Sequence, residues 1–432
     1  FALPIIIGNL FQQTYTMVDS AIVGRFVGEQ ALAAVGASYS LTNIFICIAL
    51  GGGIGASVIV SRYYGAQRYA AMKQSVYTAL FSFLAVSVLL GSVGLLAGEP
   101  IMLALNTPSD VLQDAVDYLN IYFLGLPFLF MYNILSAMFN ALGKSRIPLA
   151  FLIFSSLLNI VLDWYMVVGL GMGVTGVAWA TLLAQGLSAV LSFFVFLRLL
   201  SRLHGKPRKR FDGTEFLTMG KIALPSILQQ STVSIGMMLV QSVVNGFGSQ
   251  ALAGFSAGMR IESLCIVPMT GLGNALSSYT AQNIGAGRQE RVVEGYHATN
   301  WMVIFFGAVI CIALQCFNRP IISFFLASDA SAVSIATGRN LLRFMGWFFS
   351  MIGFKMAVDG LLRGAGDMKM FTLANLVNLG LRVALAVILA PRFGIEMVWY
   401  AVPVGWFVNW AISFMQYRTG KWRRIYKVQP QE

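Results

Sequence analysis

Residues 3–25 read LPIIIGNLFQQTYTMVDSAIVGR. The run is long and apolar, yet it carries one acid, Asp19, well inside it. A carboxylate within hydrocarbon costs roughly 2.5 kcal/mol on insertion scales and more in simulations. A chain keeps such a group where it faces a partner, a cavity or an ion path. The fold therefore turns on whether the rest of the chain builds a membrane protein, and on what stands opposite Asp19.

Composition answers the first question. Of 432 residues, 57% are hydrophobic and 11% charged, with a mean hydropathy of +0.74; soluble domains carry about 25% charged residues. Many segments exceed the roughly 18 apolar residues that mark a span. The fold class expected is an all-α polytopic membrane protein. Helices are expected at 2–24, 31–60, 70–97, 111–141, 147–168, 173–200, 215–245, 250–281, 291–317, 330–362, 369–391 and 395–418, twelve in all. Phe1 already lies in an apolar run, so a short N-terminal piece is expected to precede it, and no signal-peptide pattern is visible. Cys47, Cys265, Cys311 and Cys316 lie in apolar runs without paired spacing and read as small core residues. The two histidines, His204 and His297, argue against a His-based metal site or a catalytic triad.

The longest connector, SRLHGKPRKRFDGT at 201–214, is strongly basic and divides the chain nearly in half. Expected domains are an N-terminal six-helix lobe at 1–200, the linker at 201–214, a C-terminal six-helix lobe at 215–420 and a basic tail at 421–432. Lys and Arg concentrate on one side, at Arg62, Lys73, Lys144, Arg288, Lys369, the linker and the tail. The other side has few cations (Arg25, Arg319, Arg339, Arg392) beside Glu99, Asp110, Asp114 and Asp329. By the positive-inside rule both termini and the linker are cytoplasmic. The net charge of +12 is then mostly a topology signal, and no nucleic-acid partner is expected.

The halves repeat. LPIIIGNLFQQ at 3–13 returns as LPSILQQ at 224–230, EQALAAVGAS at 29–38 as SQALAGFSAG at 249–258, and YYGAQR at 63–68 as NIGAGR at 283–288. LLNIVLD at 157–163 resembles LVNLGLR at 376–382. Two six-span copies enter the membrane in the same direction. A parallel repeat of this kind places a shared cavity between two bundles.

Depth then selects partners for Asp19. Asp19 lies five residues before Gly24, and Asp163 six before Gly169. Asn159 is one turn earlier on the same face as Asp163. Thr181 lies eight residues after Gly173, and Tyr118 seven after Val111. At about 1.5 Å per residue, all five sit roughly 8–15 Å below the outer surface. Such oxygens suit a hard cation or a proton. Two buried acids at one level repel unless something shares them.

These residues carry a resemblance. Q-x-x-YTMVDSAIVGR at 12–25, ALAAVG at 31–36, LLNIVLDW at 157–164, GVTGVAWATLLAQ at 173–185 and AQNIGAG at 281–287 resemble the multidrug and toxic compound extrusion (MATE) family, bacterial type, within a superfamily that also holds lipid and polysaccharide flippases. The resemblance covers essentially the whole chain. It implies two lobes around a V-shaped central cavity, in a transporter and not an enzyme. By position it implies a cation or proton site, with Na⁺ as the candidate metal, at Asp19, Asn159, Asp163 and Thr181, with Tyr118 close by. Pro4 falls where the family has a helix-bending proline. No cofactor is implied beyond the coupling ion, Na⁺ or H⁺, between which the residues do not choose. The expected partners are a small organic, often cationic substrate and membrane lipid, and the two-lobed cavity makes a monomer sufficient. The alternative within the superfamily is a flippase for lipid or lipid-linked oligosaccharide.

The C-terminal half departs from the pattern. The repeat places Gln241 near the counterpart of Asp19 and Arg382 at that of Asp163. Asp359 stands at i+4 from Lys355, which predicts an internal ion pair. Arg260 and Glu262 are expected to form a structural pair network. GGGIGAS at 51–57 is expected to pack helices closely, since no G-K-[ST] follows. The G-x-G-x-x-G match at 171–176 lies in an interhelical turn without βαβ context.

Overall fold

The computed structural model describes residues 2–22, 26–27, 29–104, 109–326 and 331–425. Asp19 is described only by its backbone, and the side chain of Gln241 also lies outside the described residues. Among the described residues there are helices and turns but no strand. In chain order the α-helices are α1 (Ala2–Ile22), α2 (Glu29–Gly65), α3 (Tyr69–Ala104), α4 (Ser109–Ala141), α5 (Arg146–Asp163), α6 (Gly173–Ser201), α7 (Gly213–Asn245), α8 (Ser249–Gly285), α9 (Gln289–Phe325), α10 (Ala332–Met345), α11 (Phe349–Ala365), α12 (Met368–Phe393) and α13 (Glu396–Arg418).

Two local features depart from plain α-helix. A π-helical stretch, Trp164–Gly169, follows α5 directly. A 3₁₀ turn, Gly346–Phe348, lies between α10 and α11, inside the single span Ala332–Ala365 that matches the helix expected at 330–362. A third irregularity lies within α9, where Phe317 leaves helical geometry (φ −119°, ψ 20°) three residues before Pro320. The proline ring displaces the carbonyl four residues back.

Nine helical segments among the described residues are long and apolar enough to cross a bilayer, from Leu41–Gly65 to Glu396–Arg418. The protein is a multi-span membrane protein. Helices α1, α7 and α8 are not among the nine. α7 carries Gln229, Gln230, Ser231, Thr232 and Ser234 through its middle, and α8 carries the buried Glu262. Such residues are kept where a helix faces protein rather than lipid.

The chain divides into two compact units, one running to Ile227 and one from Leu228. In the first unit α2 is the central helix: 72% of its most apolar window is buried, against 28% for α3. Its glycines explain the close approach. A methyl at Gly51 would lie 2.5 Å from the Ile227 backbone nitrogen, and one at Gly55 2.6 Å from that of Ala223. The early turns of α7 thus lie against GGGIGAS, as small residues at an interface permit.

In the second unit α8 and α11 meet in the same manner. A methyl at Gly360 would collide with the Gly273 carbonyl, and one at Gly364 with that of Ser277. Gly360→Ala is expected to cost about 1–3 kcal/mol, because backbone must move to admit it. Gly380→Ala in α12, where a methyl meets nothing within 4 Å, is expected to leave stability unchanged or raise it. Thermal melting of the two purified variants checks the contrast.

Candidate coupling site

The polar residues of the first unit converge where α1, α4, α5 and α6 approach one another. Asn159 is 2% exposed and Asp163 fully buried at 0%. Their i, i+4 spacing puts both on one face of α5. Asp163 is the last α-helical residue before the π-helical stretch. π-helical turns recur at functional sites because they redirect side chains over one turn.

Three elements are tied together at Asn159. The Tyr15 hydroxyl of α1 donates to Asn159 Oδ1. Asn159 Nδ2 donates to Thr181 Oγ1 of α6 at 3.4 Å. Asp19 stands four residues after Tyr15 in α1, with its side chain outside the described residues. The structure therefore brings Asn159 and Thr181 together, places Asp163 one turn along, and adds Tyr15, which the sequence reasoning missed. Pro4 stands in the first described turn of α1.

Tyr118 of α4 is half-buried against Val167, Val174 and Val177. It shares a cavity of about 20 Å³ with Thr181, lined also by Tyr122 and Gln185. That space admits about one water molecule. Tyr15→Phe is expected to destabilise the protein by about 1–3 kcal/mol, since it leaves the Asn159 carbonyl without this donor in a buried setting. A thermal-shift comparison with the parent checks it.

The second unit holds a different polar cluster. Lys355 Nζ and Asp359 Oδ2 form a buried ion pair at 3.1 Å, as the spacing predicts. Around it lies a network that spacing did not reveal, centred on Asn375. Asn375 Oδ1 accepts from Lys355 Nζ at 3.0 Å, Asn409 Nδ2 at 3.1 Å and Gln229 Nε2 at 3.2 Å. Asn375 Nδ2 donates to Asp359 Oδ2 at 3.3 Å, and the Ser413 hydroxyl donates to Asp359 Oδ1 at 2.7 Å. Arg363, one turn beyond Asp359, donates to Asn274 Oδ1 at 2.8 Å and Ser277 Oγ at 3.3 Å.

One expectation needs correction. Arg260 is exposed and Glu262 buried, and among the described residues the ion pair found is Lys355–Asp359, not one between these two. The sequence neighbours Arg260 and Glu262 are two apart and so point in different directions on a helix.

A family model described as MatE matches residues 4–165 and 225–388. The chain belongs to the MATE family. The chain is 29% identical over 426 residues to the probable multidrug resistance protein YpnP of Bacillus subtilis, covering 98% of this chain and 95% of the relative. It is 24% identical over 411 residues to the multidrug export protein MepA of Staphylococcus aureus, covering 92% and 88%. It is 25% identical over 332 residues to an FAD transporter of Shewanella oneidensis, covering 75% and 73%. Among solved structures, an outward-facing multidrug-resistance MATE transporter superposes with a TM-score of 0.90 at 24% identity, covering 98% of this MATE chain and 95% of that one. A Pyrococcus furiosus transporter of the same superfamily, described as having a binding pocket of reversed polarity, gives 0.91 at 23% identity, with 97% and 94% covered.

Proposed function

We propose that the chain is a secondary antiporter that exports organic, often cationic compounds in exchange for inward Na⁺ or H⁺. The carrying observation is the buried Asp163 beside the Tyr15–Asn159–Thr181 hydrogen bonds, which join α1, α5 and α6. The names of the relatives, multidrug resistance and multidrug export proteins, support the substrate class. Their being transporters supports transport rather than catalysis.

The proposal has twelve spans in two six-helix bundles around a V-shaped cavity, in the cytoplasmic membrane with both termini inside. A monomer suffices. The coupling set is Asp19, Asn159, Asp163 and Thr181, with Tyr118 beside it and Pro4 as the bending point of α1. A carboxyl removed from solvent is held protonated or against a cation. Proton or Na⁺ entry from outside neutralises the acids and changes how α1 sits on α5. That change lowers substrate affinity by no more than the ion's differential affinity for the two states. The flippase alternative calls for free cations within the spans to hold pyrophosphate. Two of the cations within the spans are taken, Lys355 by Asp359 and Arg363 by Asn274 and Ser277, while Arg260 and Arg343 are exposed.

Binding in detergent tests the linkage. The apparent dissociation constant of a fluorescent organic cation is expected to rise about tenfold with the coupling ion at saturation, equivalent to about 1.4 kcal/mol of coupling. An affinity indifferent to both Na⁺ and pH contradicts the proposal.

A further inference from the structure

The segment between α6 and α7 carries KPRKR at 206–210. The positive-inside rule explains why cations lie on this side of the membrane. It does not explain how the fold disposes them. The segment is pinned to α3: Lys73 Nζ donates to the carbonyls of Leu203 at 2.7 Å and Gly205 at 3.0 Å. The Asp212 N–H donates to Thr78 Oγ1 at 3.1 Å.

Asp212 of the segment and Glu215 in the first turn of α7 accept from neutral donors. Asp212 accepts from Gln74 Nε2 at 2.6 Å and from the Thr214 N–H at 2.8 Å. Glu215 accepts from the hydroxyls of Tyr63 at 2.7 Å and Ser75 at 2.9 Å. The Thr214 N–H is the chief group holding the Asp212 carboxyl below its ordinary range, and Lys209 contributes. The cations Arg202, Lys206, Arg208, Lys209 and Arg210 are all exposed. Beside them Phe211 and Phe216 pair at 6.3 Å between ring centroids. They are 50% and 43% exposed, next to Leu217 at 66%.

We propose that this segment is a docking surface for anionic phospholipid, with Lys206, Arg208, Lys209 and Arg210 meeting headgroup phosphates and Phe211, Phe216 and Leu217 entering the interface. Clustered cations at the end of a span attract anionic lipid. Exposed aromatic and aliphatic side chains beside them gain by leaving water for the headgroup region. A nucleic acid or an acidic protein would use the charge but not this apolar rim. The segment is already held by α3, so binding orders little new chain. The inference rests on the membrane reading and stands apart from the transported substrate and the coupling ion.

The test is native mass spectrometry of the full chain in detergent, with phosphatidylglycerol or phosphatidylcholine added back. The parent is expected to retain phosphatidylglycerol preferentially, and less of it at high salt. Replacing Lys206, Arg208, Lys209 and Arg210 with Gln together is expected to cut that retention by about tenfold or more. Phe211→Ser is expected to reduce retention of the same lipid. Lys421→Gln with Arg424→Gln, in the tail, is expected to leave it unchanged. Equal retention of the two lipids by the parent, or undiminished phosphatidylglycerol on the linker variant, overturns the proposal. So does an equal loss in the tail variant, which would mean that net charge alone attracts the lipid. The readout involves no transport, so its failure is separate from failure of the antiport reading.

Discussion

Asp163→Asn is expected to abolish gradient-driven efflux, by about a hundredfold or more, while the protein remains folded. The substitution keeps the volume and removes the charge. Asp163 is fully buried, so an amide there carries no desolvation penalty of an ionised carboxyl. Stability is therefore expected to be equal or higher. On the proposed mechanism, what is lost is a group whose charge changes when a proton or cation arrives. Differential affinity between states sets the size of the effect, and about 3 kcal/mol of coupling corresponds to roughly a hundredfold. Efflux from proteoliposomes, with melting of the same preparation, separates the two quantities. Full efflux from a normally melting Asp163→Asn protein would remove Asp163 from the coupling set.

The second large effect lies in the other unit and has the opposite character. Asp359→Ala leaves the Lys355 ammonium buried with Asn375 as its remaining hydrogen-bond partner. Breaking a buried pair by removing one partner costs about 3–5 kcal/mol, because an uncompensated charge remains inside. Asp359→Ala is thus expected to melt far below the parent. Removing both charges, with Lys355→Met and Asp359→Asn together, is expected to recover at least half of the loss. The amide still accepts from Ser413, and a neutral replacement of a buried pair is often close to neutral overall. The double variant is also expected to keep its gradient-driven efflux. A double variant as unstable as the single one would place the stabilisation in the Asn375 network rather than in charge balance. A stable double variant without efflux would move the pair into the coupling machinery.

Much of this was legible before any coordinates. Hydropathy located the helices, and the expected 111–141, 173–200 and 395–418 agree closely with α4, α6 and α13. Counting residues from the ends of spans placed Asn159 and Thr181 at one level, and they do hydrogen-bond. Spacing at i+4 was enough for Lys355 and Asp359.

What escaped has physical causes. WYMVVG at 164–169 is as apolar as the helix before it, so its π geometry leaves no mark in hydropathy. The break at Gly346–Phe348 has only one glycine in an otherwise helical pattern. Tyr15 could have been found, since it precedes Asp19 by one turn on α1. Asn375 could not: the repeat directed attention to its neighbours Asn378 and Arg382, and its partners come from three distant stretches of chain. The pinning of the linker on α3 is likewise long-range, and composition shows only that the linker is basic. Arg382 shows the limit of repeat reasoning most clearly. Its position matches that of Asp163, yet a guanidinium carries only donors and cannot ligate a cation.

The central claim is exchange of a substrate for an inward cation, and reversal of the gradient tests it most directly. Proteoliposomes holding a fluorescent organic cation would receive a Na⁺ gradient and a pH gradient separately, each in both directions. The account predicts that one of the two gradients drives the dye up its own concentration gradient, and that inverting that gradient inverts the direction of movement. Dye that only equilibrates, at a rate indifferent to both gradients and to their sign, would contradict it.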